Sequence, residues 1–280
     1  MARVEKLRAR RDFASLVSDM DAFPELEELQ QAGCQAVCDI IQHGGSREEA
    51  ILAGAVECVV RALDLFQHSA ETQLTSLIGL SVLINADSSK AGICIACNAG
   101  AVPLLVRVLR SFPDNAPLLG HAFLLLSRFV PVQRYCGEAL RCGAVELCVT
   151  AVRRCATFPI LQEGAVLGPA FVCLAQLCLP NKAVAADANS MGAMELALAA
   201  LNKHRSNANV TFGAGECLRV LCFGEICAVR AKQLGAPALL QAVLKAHPFH
   251  YEVRLLRQAT TSASQAFPLV FQADARCRRW

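Results

Sequence analysis

A Gly-Ala pair that opens an apolar segment recurs five times along this chain of 280 residues. The copies are GAVECVVRAL at 54, GAVPLLVRVL at 100, GAVELCVTAV at 143, GAMELALAAL at 192 and GAPALLQAVL at 235. Successive copies lie 43 to 49 residues apart. A period of this size indicates a helical solenoid, in which each unit buries its core against its neighbours. We therefore predict one curved stack of helices that offers a long groove.

The apolar spacing within each repeat predicts three helices. After each Gly-Ala, apolar residues at positions such as Leu104, Val108 and Leu109 follow one face of a helix with 3.6 residues per turn. A turn rich in Pro, Asn or Asp ends that helix, as in SFPDN at 111. A longer and more apolar segment follows and predicts a buried helix. A short helix, such as the one in PVQRYCGEALRC, then closes the unit.

The composition agrees with an all-α chain. Apolar residues make up 54% of the sequence, with one Trp and two Tyr, and no strand-like alternation is evident. The 15 cysteines lie mostly inside apolar helical runs, as Cys58, Cys148 and Cys173 do, where a thiol acts as a small hydrophobic side chain. We therefore predict reduced thiols and a reducing compartment, the cytosol or the nucleus.

Two further segments have features that are also found in metal sites or membrane spans. Cys94 and Cys97 form a Cys-x-x-Cys, but no second pair and no His stands at ligand spacing, so we predict neither a metal nor another cofactor. Residues 164–180 are uncharged for 17 residues. This segment is shorter than the ~20 apolar residues that a membrane span needs, and Pro169 and Gln176 interrupt it. We predict a buried helix there.

The order of short helix, amphipathic helix and long buried helix, with Gly-Ala at the first junction, resembles the armadillo-repeat family. The phrase GAVPLLVRVL is close to the family pattern for the start of the second helix. The resemblance covers residues 25–265 and implies a right-handed α-solenoid of about five to six repeats with three helices each. It implies that residues 1–24 form a basic N-terminal helix, as a partial first repeat or a cap, and that residues 266–280 form a tail.

The resemblance also implies a binding groove. In many armadillo proteins the third helices line the concave face, where one Asn per repeat hydrogen-bonds the backbone of a bound peptide. Matching the phrases places this position at Asp39, Asn85, Arg128, Gln176 and Val220. Glu216 stands one turn before the last of these positions, and His121 stands two turns before Arg128. The predicted partner-binding groove therefore consists of Asp39, Asn85, His121, Arg128, Gln176 and Glu216.

The chemistry of the partner stays open at this point. Only Asn85 and Gln176 keep an amide, and no aromatic residue stands one turn earlier, so a partner helix or folded domain competes with an extended peptide. The formal charge of +3 comes from the two ends of the chain, which leaves the body slightly acidic. Without a basic stripe along the repeats, nucleic-acid binding in the groove is not predicted.

No catalytic constellation is evident. The glycines of TFGAGEC at 211 lack the Lys and Ser or Thr of a phosphate-binding loop, and the six His have no paired nucleophile or carboxylate. We therefore predict a non-catalytic protein–protein interaction scaffold that binds a partner segment along the groove. The alternative is a regulatory factor that acts on a chaperone or another enzyme through the same surface, similar to armadillo-type nucleotide-exchange factors.

Overall fold

A computed structural model of the protein describes residues 2–84, 90–157, 163–222 and 225–246. These residues form 17 α-helices and contain no β-strand. In chain order the helices are α1 (Ala2–Arg10), α2 (Phe13–Ala22), α3 (Glu27–Gln42), α4 (Arg47–Leu52), α5 (Ala55–Leu65), α6 (Ala70–Ile84), α7 (Lys90–Asn98), α8 (Ala101–Ser111), α9 (Ala116–Phe129), α10 (Gln133–Arg141), α11 (Ala144–Thr157), α12 (Glu163–Cys178), α13 (Lys182–Ser190), α14 (Ala193–Lys203), α15 (Ala208–Leu221), α16 (Glu225–Gln233) and α17 (Ala236–Ala246). The predicted all-α fold is confirmed.

The chain divides into two compact units, residues 1–129 and 130–280. The first unit contains α1 to α9, and the described part of the second contains α10 to α17. Both consist of consecutive repeats of a first, a second and a third helix. The third helices are α3, α6 and α9 in the first unit, and α12 and α15 in the second. The predicted tail, residues 266–280, lies outside the described residues.

Each unit has a layer of second helices and a layer of third helices, with the apolar core between them. In the first unit α6 packs between α3 and α9, and α5 packs between α2 and α8. Leu63 of α5 and Leu80 of α6 are fully buried there. In the second unit α12 packs on α15, and Phe171 of α12 and Leu218 of α15 are fully buried. Burial of these apolar side chains is the main stabilising term within each unit.

The Gly-Ala junction has a specific backbone geometry. All five junction glycines have a left-handed backbone with φ between 79° and 89°. At the third repeat, Gly100 N–H donates to the carbonyl of Cys97 (3.0 Å) and so ends the first helix, while the next residue, Ala101, begins the second helix and is fully buried. Glycine adopts this φ without steric cost, and only a small side chain fits at the following position.

Glycines also set the distance between α12 and α15. A Cβ atom on Gly168 would lie 2.8 Å from the carbonyl oxygen of Asn209, and one on Gly213 would collide with the carbonyl of Gly168. The two backbones therefore approach each other where both side chains are absent. The first glycine of TFGAGEC, Gly213, therefore belongs to this helix contact, inside α15.

The N-terminal segment contains two helices instead of the single one predicted for residues 1–24. Arg11 has φ 57°, a left-handed backbone that interrupts the helix between α1 and α2. Asp12 caps α2, because its carboxylate accepts a hydrogen bond from Ser15 N–H (3.0 Å). Helix α1 packs on α3, and α2 packs against α5 in the layer of second helices. The segment thus supplies both a second helix and a cap for α3.

Arginines at one repeat position link neighbouring second helices. Arg61 of α5 pairs with Asp21 of α2, and Arg107 of α8 pairs with Asp64 of α5 at 3.0 Å. Both arginines stand seven residues after their junction glycine. These pairs are solvent-exposed, so we expect them to fix register more than to add stability.

Within the described residues, no single helix is both long and apolar enough to span a membrane. One pair of helical segments, Ala91–Asn98 and Ala101–Ser111, meets the length and composition criteria together but is bent by 69°. The uncharged segment that begins at residue 164 lies mainly in α12, where Phe171, Cys173 and Leu174 are buried.

The left-handed junction predicts a cost for any side chain at Gly100. We expect Gly100→Ala to lower the free energy of unfolding by about 1–2 kcal/mol, because an L-residue at this φ is strained. Urea unfolding followed by circular dichroism measures the shift. The matched control is Gly137→Ala inside α10, where a Cβ atom would meet only the Arg141 side chain at 3.7 Å. This control should be neutral or stabilising, and equal losses in both variants would contradict the explanation.

The close contact of α12 and α15 predicts a similar loss in the second unit. Gly213→Ala should lower the free energy of unfolding of the second unit by about 1–3 kcal/mol, since the new methyl group forces the backbones of α12 and α15 apart. Gly79→Ala, also buried within a third helix, is the control. Its Cβ atom would contact Val59 and the Cys34 carbonyl at an ordinary 3.7 Å. A tolerated Gly213→Ala would show that the helices do not depend on this approach.

Candidate protein-interaction surface

Each third helix leaves one stripe of side chains partly exposed, which we call the third-helix stripe. Adjacent third helices cover the other sides, so the exposed positions recur every three or four residues. In the first unit the stripe consists of Glu28, Gln31, Gln35 and Asp39 in α3, Leu74, Ile78 and Ser81 in α6, and Pro117, His121, Leu124 and Arg128 in α9. In the second unit it consists of Ala165, Pro169, Val172 and Gln176 in α12, and Phe212, Glu216 and Arg219 in α15.

The stripe of α3 borders a depression that α1 and α6 also line. It has a volume of about 360 Å³, and its lining includes Glu28 and Gln35 of α3, Thr75 of α6 and Arg8 of α1. The α3 stripe is therefore continuous with exposed residues of α1, and Thr75 of α6 lies at the same depression.

Asp39, one of the predicted groove residues, already has intramolecular partners. Its carboxylate accepts from Arg8 Nη1 (2.8 Å) and from Gln35 Nε2 (2.9 Å). Arg11 extends the same contact between α1 and α3 by donating to the carbonyl of His43 (2.6 Å). Asp39 therefore lies on the stripe, but its charge is compensated by the N-terminal helix.

His121 and Arg128, two of the predicted groove residues, lie on one stripe of α9, and both side chains are half-buried. Burial lowers the pKa of His121, so its imidazole is neutral at neutral pH. Its Nδ1 atom is enclosed and has no hydrogen-bond partner among the described residues. Burial also lowers the pKa of Arg128. Together with Leu124, this helix offers hydrogen-bonding groups beside an apolar contact.

Asn85, the predicted position in the second repeat, lies outside the described residues, because α6 is described only as far as Ile84. The described part of its stripe is apolar at Leu74 and Ile78. The role predicted for Asn85 stays a prediction.

In the second unit Gln176 is partly exposed, whereas Glu216 is already hydrogen-bonded within the protein. Gln176 is half-buried on the stripe of α12. The carboxylate of Glu216 accepts two hydrogen bonds from Arg219, at 2.8 and 3.0 Å, and both side chains are less than one-fifth exposed. Val220, matched to the groove in the last repeat, is only 6% exposed and belongs to the core.

Sequence reasoning missed two apolar members of the stripe. Pro169 and Phe212 are partly exposed on α12 and α15. The signal was present, since Phe212 stands one helical turn before Glu216 and Pro169 stands two turns before Gln176. The neighbouring faces of these helices are apolar as well, so the sequence does not distinguish the exposed apolar face from the buried ones.

The thiols of this protein are placed for packing. All 14 described cysteines are free, and only Cys94 is exposed, with Cys142 and Cys227 partly so. Burial raises the pKa of Cys58 to about 12, where the thiol also donates to Asp21 (3.0 Å). Burial likewise raises the pKa of Cys178 to about 12 and that of Cys148 in the same direction, beside the Cys173 thiol. Such thiols are poor nucleophiles because little thiolate forms.

The described residues contain no group of three or more His, Cys, Asp or Glu side chains that could hold a metal ion. Cys94 is exposed whereas Cys97 is buried, so the Cys-x-x-Cys does not present both thiols to one ligand.

Two solved structures share this architecture. Both are crystal structures of engineered proteins from the Northeast Structural Genomics Consortium. One has a TM-score of 0.68 at 19% identity and covers 90% of this chain and 96% of its own. The other has a TM-score of 0.69 at 20% identity, with 90% and 98% covered. At these identities the likeness concerns the fold alone. Comparison with curated protein sequences gives no significant match.

Repeats of a first, second and third helix, with a left-handed glycine at the first junction, define an armadillo-repeat protein. The sequence model described as the LRRK2 ARM repeat matches residues 7–266, so this chain belongs to that family. The armadillo resemblance inferred from the Gly-Ala phrases is confirmed.

The burial of the thiols predicts selective alkylation. At about pH 8 a thiol with a pKa near 12 is thiolate only on the order of 10⁻⁴ of the time, so Cys58 and Cys178 should react very slowly in the native protein. Among the described thiols, exposed Cys94 should react first. Mass spectrometry after timed iodoacetamide treatment gives the order, and urea-denatured protein is the control in which all described thiols react. Rapid native labelling of Cys58 would contradict its burial.

Proposed function

We propose that this chain is a non-catalytic protein–protein interaction scaffold that binds a partner segment through its third-helix stripes. The repeat fold supports a role in protein interaction, since units that contact only their neighbours leave a long, regular surface for a partner. The observation that carries the proposal is the composition of the stripe, in which partly exposed apolar side chains such as Leu124 and Val172 lie beside hydrogen-bonding ones such as Gln176.

In the first unit, α9 is the best-equipped part of this surface. His121 and Arg128 provide a neutral imidazole and a guanidinium on either side of the half-buried Leu124. A partner that covers Leu124 brings its own polar groups within reach of the exposed parts of both side chains. Asp39 contributes less, because a partner would have to compete with Arg8.

In the second unit, the surface centres on α12. Val172 and Pro169 form an apolar patch next to the Gln176 amide, which can donate and accept at once. Phe212 on α15 is 36% exposed and adds an aromatic contact. An amide beside apolar contacts suits either a backbone segment or one face of a partner helix.

We also propose that the protein acts in the cytosol or the nucleus. The support is the distribution of its thiols, which occupy apolar positions of the repeats and not positions that tie loops together.

Site-specific photo-crosslinking tests the proposed surface. A benzophenone amino acid placed at Leu124 or Val172 should give crosslinked species in cell extract, because both side chains are partly exposed on the stripe. The matched positions are Arg110 and Glu146, which are exposed on second helices. Crosslinks from the second-helix positions alone would contradict the proposal.

Substitutions then measure what the stripe contributes to binding. For the captured partner we expect Gln176→Ala and Arg128→Ala each to weaken affinity about tenfold, since one lost hydrogen bond costs ~1 kcal/mol and a bond to a charged group costs more. Isothermal titration with the purified partner gives the constants, and urea unfolding checks that the variants fold. The control is Lys245→Ala on the exposed face of α17, which should leave affinity unchanged.

The alternative function, a regulatory factor that acts on a chaperone or another enzyme, predicts a different result in the photo-crosslinking experiment. A factor that acts on a chaperone should crosslink to one abundant protein, and ATP or ADP should change the yield. A scaffold should give crosslinks that nucleotide does not alter.

A further inference from the structure

An apolar groove lies at the corner between α2 and α3, where it shares only Glu28 with the third-helix stripe of α3. Its lining comprises Val4, Asp19, Phe23, Glu25, Leu26, Glu27, Glu28 and Leu29. The volume of about 690 Å³ falls in the range of binding clefts, about 300–1,000 Å³. Phe23 is 54% exposed and Leu26 is 56% exposed, so two large apolar side chains meet solvent side by side.

Among the three corners of the first unit, this exposure is found at the first. Phe66 and Phe112 end the second helices α5 and α8 as Phe23 ends α2, but both are half-buried. The same hydrogen bonds hold the first two corners. Gln30 Nε2 donates to the carbonyls of Met20 (2.7 Å) and Phe23 (3.0 Å), and Gln73 Nε2 donates to those of Leu63 (2.8 Å) and Phe66 (3.0 Å). Phe23 is therefore uncovered on an otherwise regular corner.

The corner is also held rigidly. Gln30 is 1% exposed, and Leu26 N–H donates to the Phe23 carbonyl (3.3 Å), which closes the turn through Pro24. A preorganised apolar pair loses little conformational entropy on binding, so more of the contact energy appears as affinity.

The rim of this groove is acidic. Four carboxylates line it, from Asp19, Glu25, Glu27 and Glu28, and no Lys or Arg is among the described lining residues. Hydrogen bonds from Ser69 and Thr72 lower the pKa of Glu27, which keeps that carboxylate ionised. An apolar floor inside a negative rim favours a ligand that combines an apolar side chain with positive charge.

We propose that the groove at the α2–α3 corner binds a peptide segment in which an aromatic or branched aliphatic side chain lies next to Lys or Arg. The apolar side chain packs between Phe23 and Leu26, and the cations face Glu25 and Glu28. This site adds a second point of contact for a partner to the third-helix stripe.

Fluorescence polarisation with the full chain tests this proposal. The probe is a fluorescein-labelled peptide, Lys-Arg-Phe-Leu-Arg-Lys, and we expect a dissociation constant between micromolar and millimolar. Two control peptides, Glu-Asp-Phe-Leu-Glu-Asp and Lys-Arg-Ser-Ser-Arg-Lys, should bind at least about tenfold more weakly, because each lacks one half of the chemistry. Equal binding of all three peptides, or no binding of the probe, would overturn the proposal.

Variants assign the binding to this groove. The double change Phe23→Ala and Leu26→Ala should weaken probe binding at least about tenfold, and Glu25→Lys should weaken it and reduce its salt dependence. All three residues are exposed, so the urea midpoint should stay nearly constant. The controls are Leu52→Ala, an 87% exposed leucine of α4, and Glu48→Lys, also exposed on α4, which should have no effect. Losses in the controls as large as those in the groove variants would overturn the assignment.

Two further outcomes distinguish a bound peptide from a second copy of the chain in this groove. A dimer in analytical ultracentrifugation that Leu26→Ala dissociates, without binding of the probe, would assign the groove to a second copy of the chain and overturn the peptide proposal. Probe binding that Gln176→Ala leaves unchanged, but Leu26→Ala abolishes, would support the groove independently of the third-helix stripe.

Discussion

The left-handed turn at each Gly-Ala junction is the constraint on which the repeats depend. With φ near +80° to +90°, the glycine ends the first helix and starts the second within one residue, so the two helices meet at a fixed angle. The alanine that follows is almost fully buried at all five junctions, which leaves no space for a larger side chain. Because the same turn recurs, successive second helices and successive third helices can pack on their counterparts within each unit.

The packing of third helices then determines which side chains reach solvent. Close approach at Gly168 and Gly213 brings α12 and α15 together and leaves mainly one stripe of each helix partly exposed. The residues on the third-helix stripes are under less pressure from packing. In α9 the sequence there combines His121 and Arg128 with Leu124, and in α12 it combines Gln176 with Val172. Core packing therefore determines where the surface proposed for binding lies. The side chains on that surface are not fixed by the core, so their composition can suit a partner.

Much of the fold could be predicted from the residues, since the Gly-Ala phrases, the breakers and the apolar faces are local signals. The site could be predicted only in part. Periodicity placed His121, Arg128 and Gln176 on partly exposed faces, but it could not show that Arg8 compensates Asp39 from 31 residues away, or that Arg219 holds Glu216. Val220 was misplaced because one position along a helix rotates a side chain by about 100°, which is enough to move it from the surface to the core.

By itself the sequence determined the helical repeat, its period and the residue at each turn, because backbone preferences and apolar spacing act over a few residues. Only the tertiary structure decided which apolar residues stay exposed. Phe23 and Phe66 end equivalent helices and their corners share the same glutamine bonds, yet one is exposed and the other half-buried. The difference in exposure depends on which residues pack against each corner. Those residues are distant in the chain, so a local sequence pattern does not predict the contact.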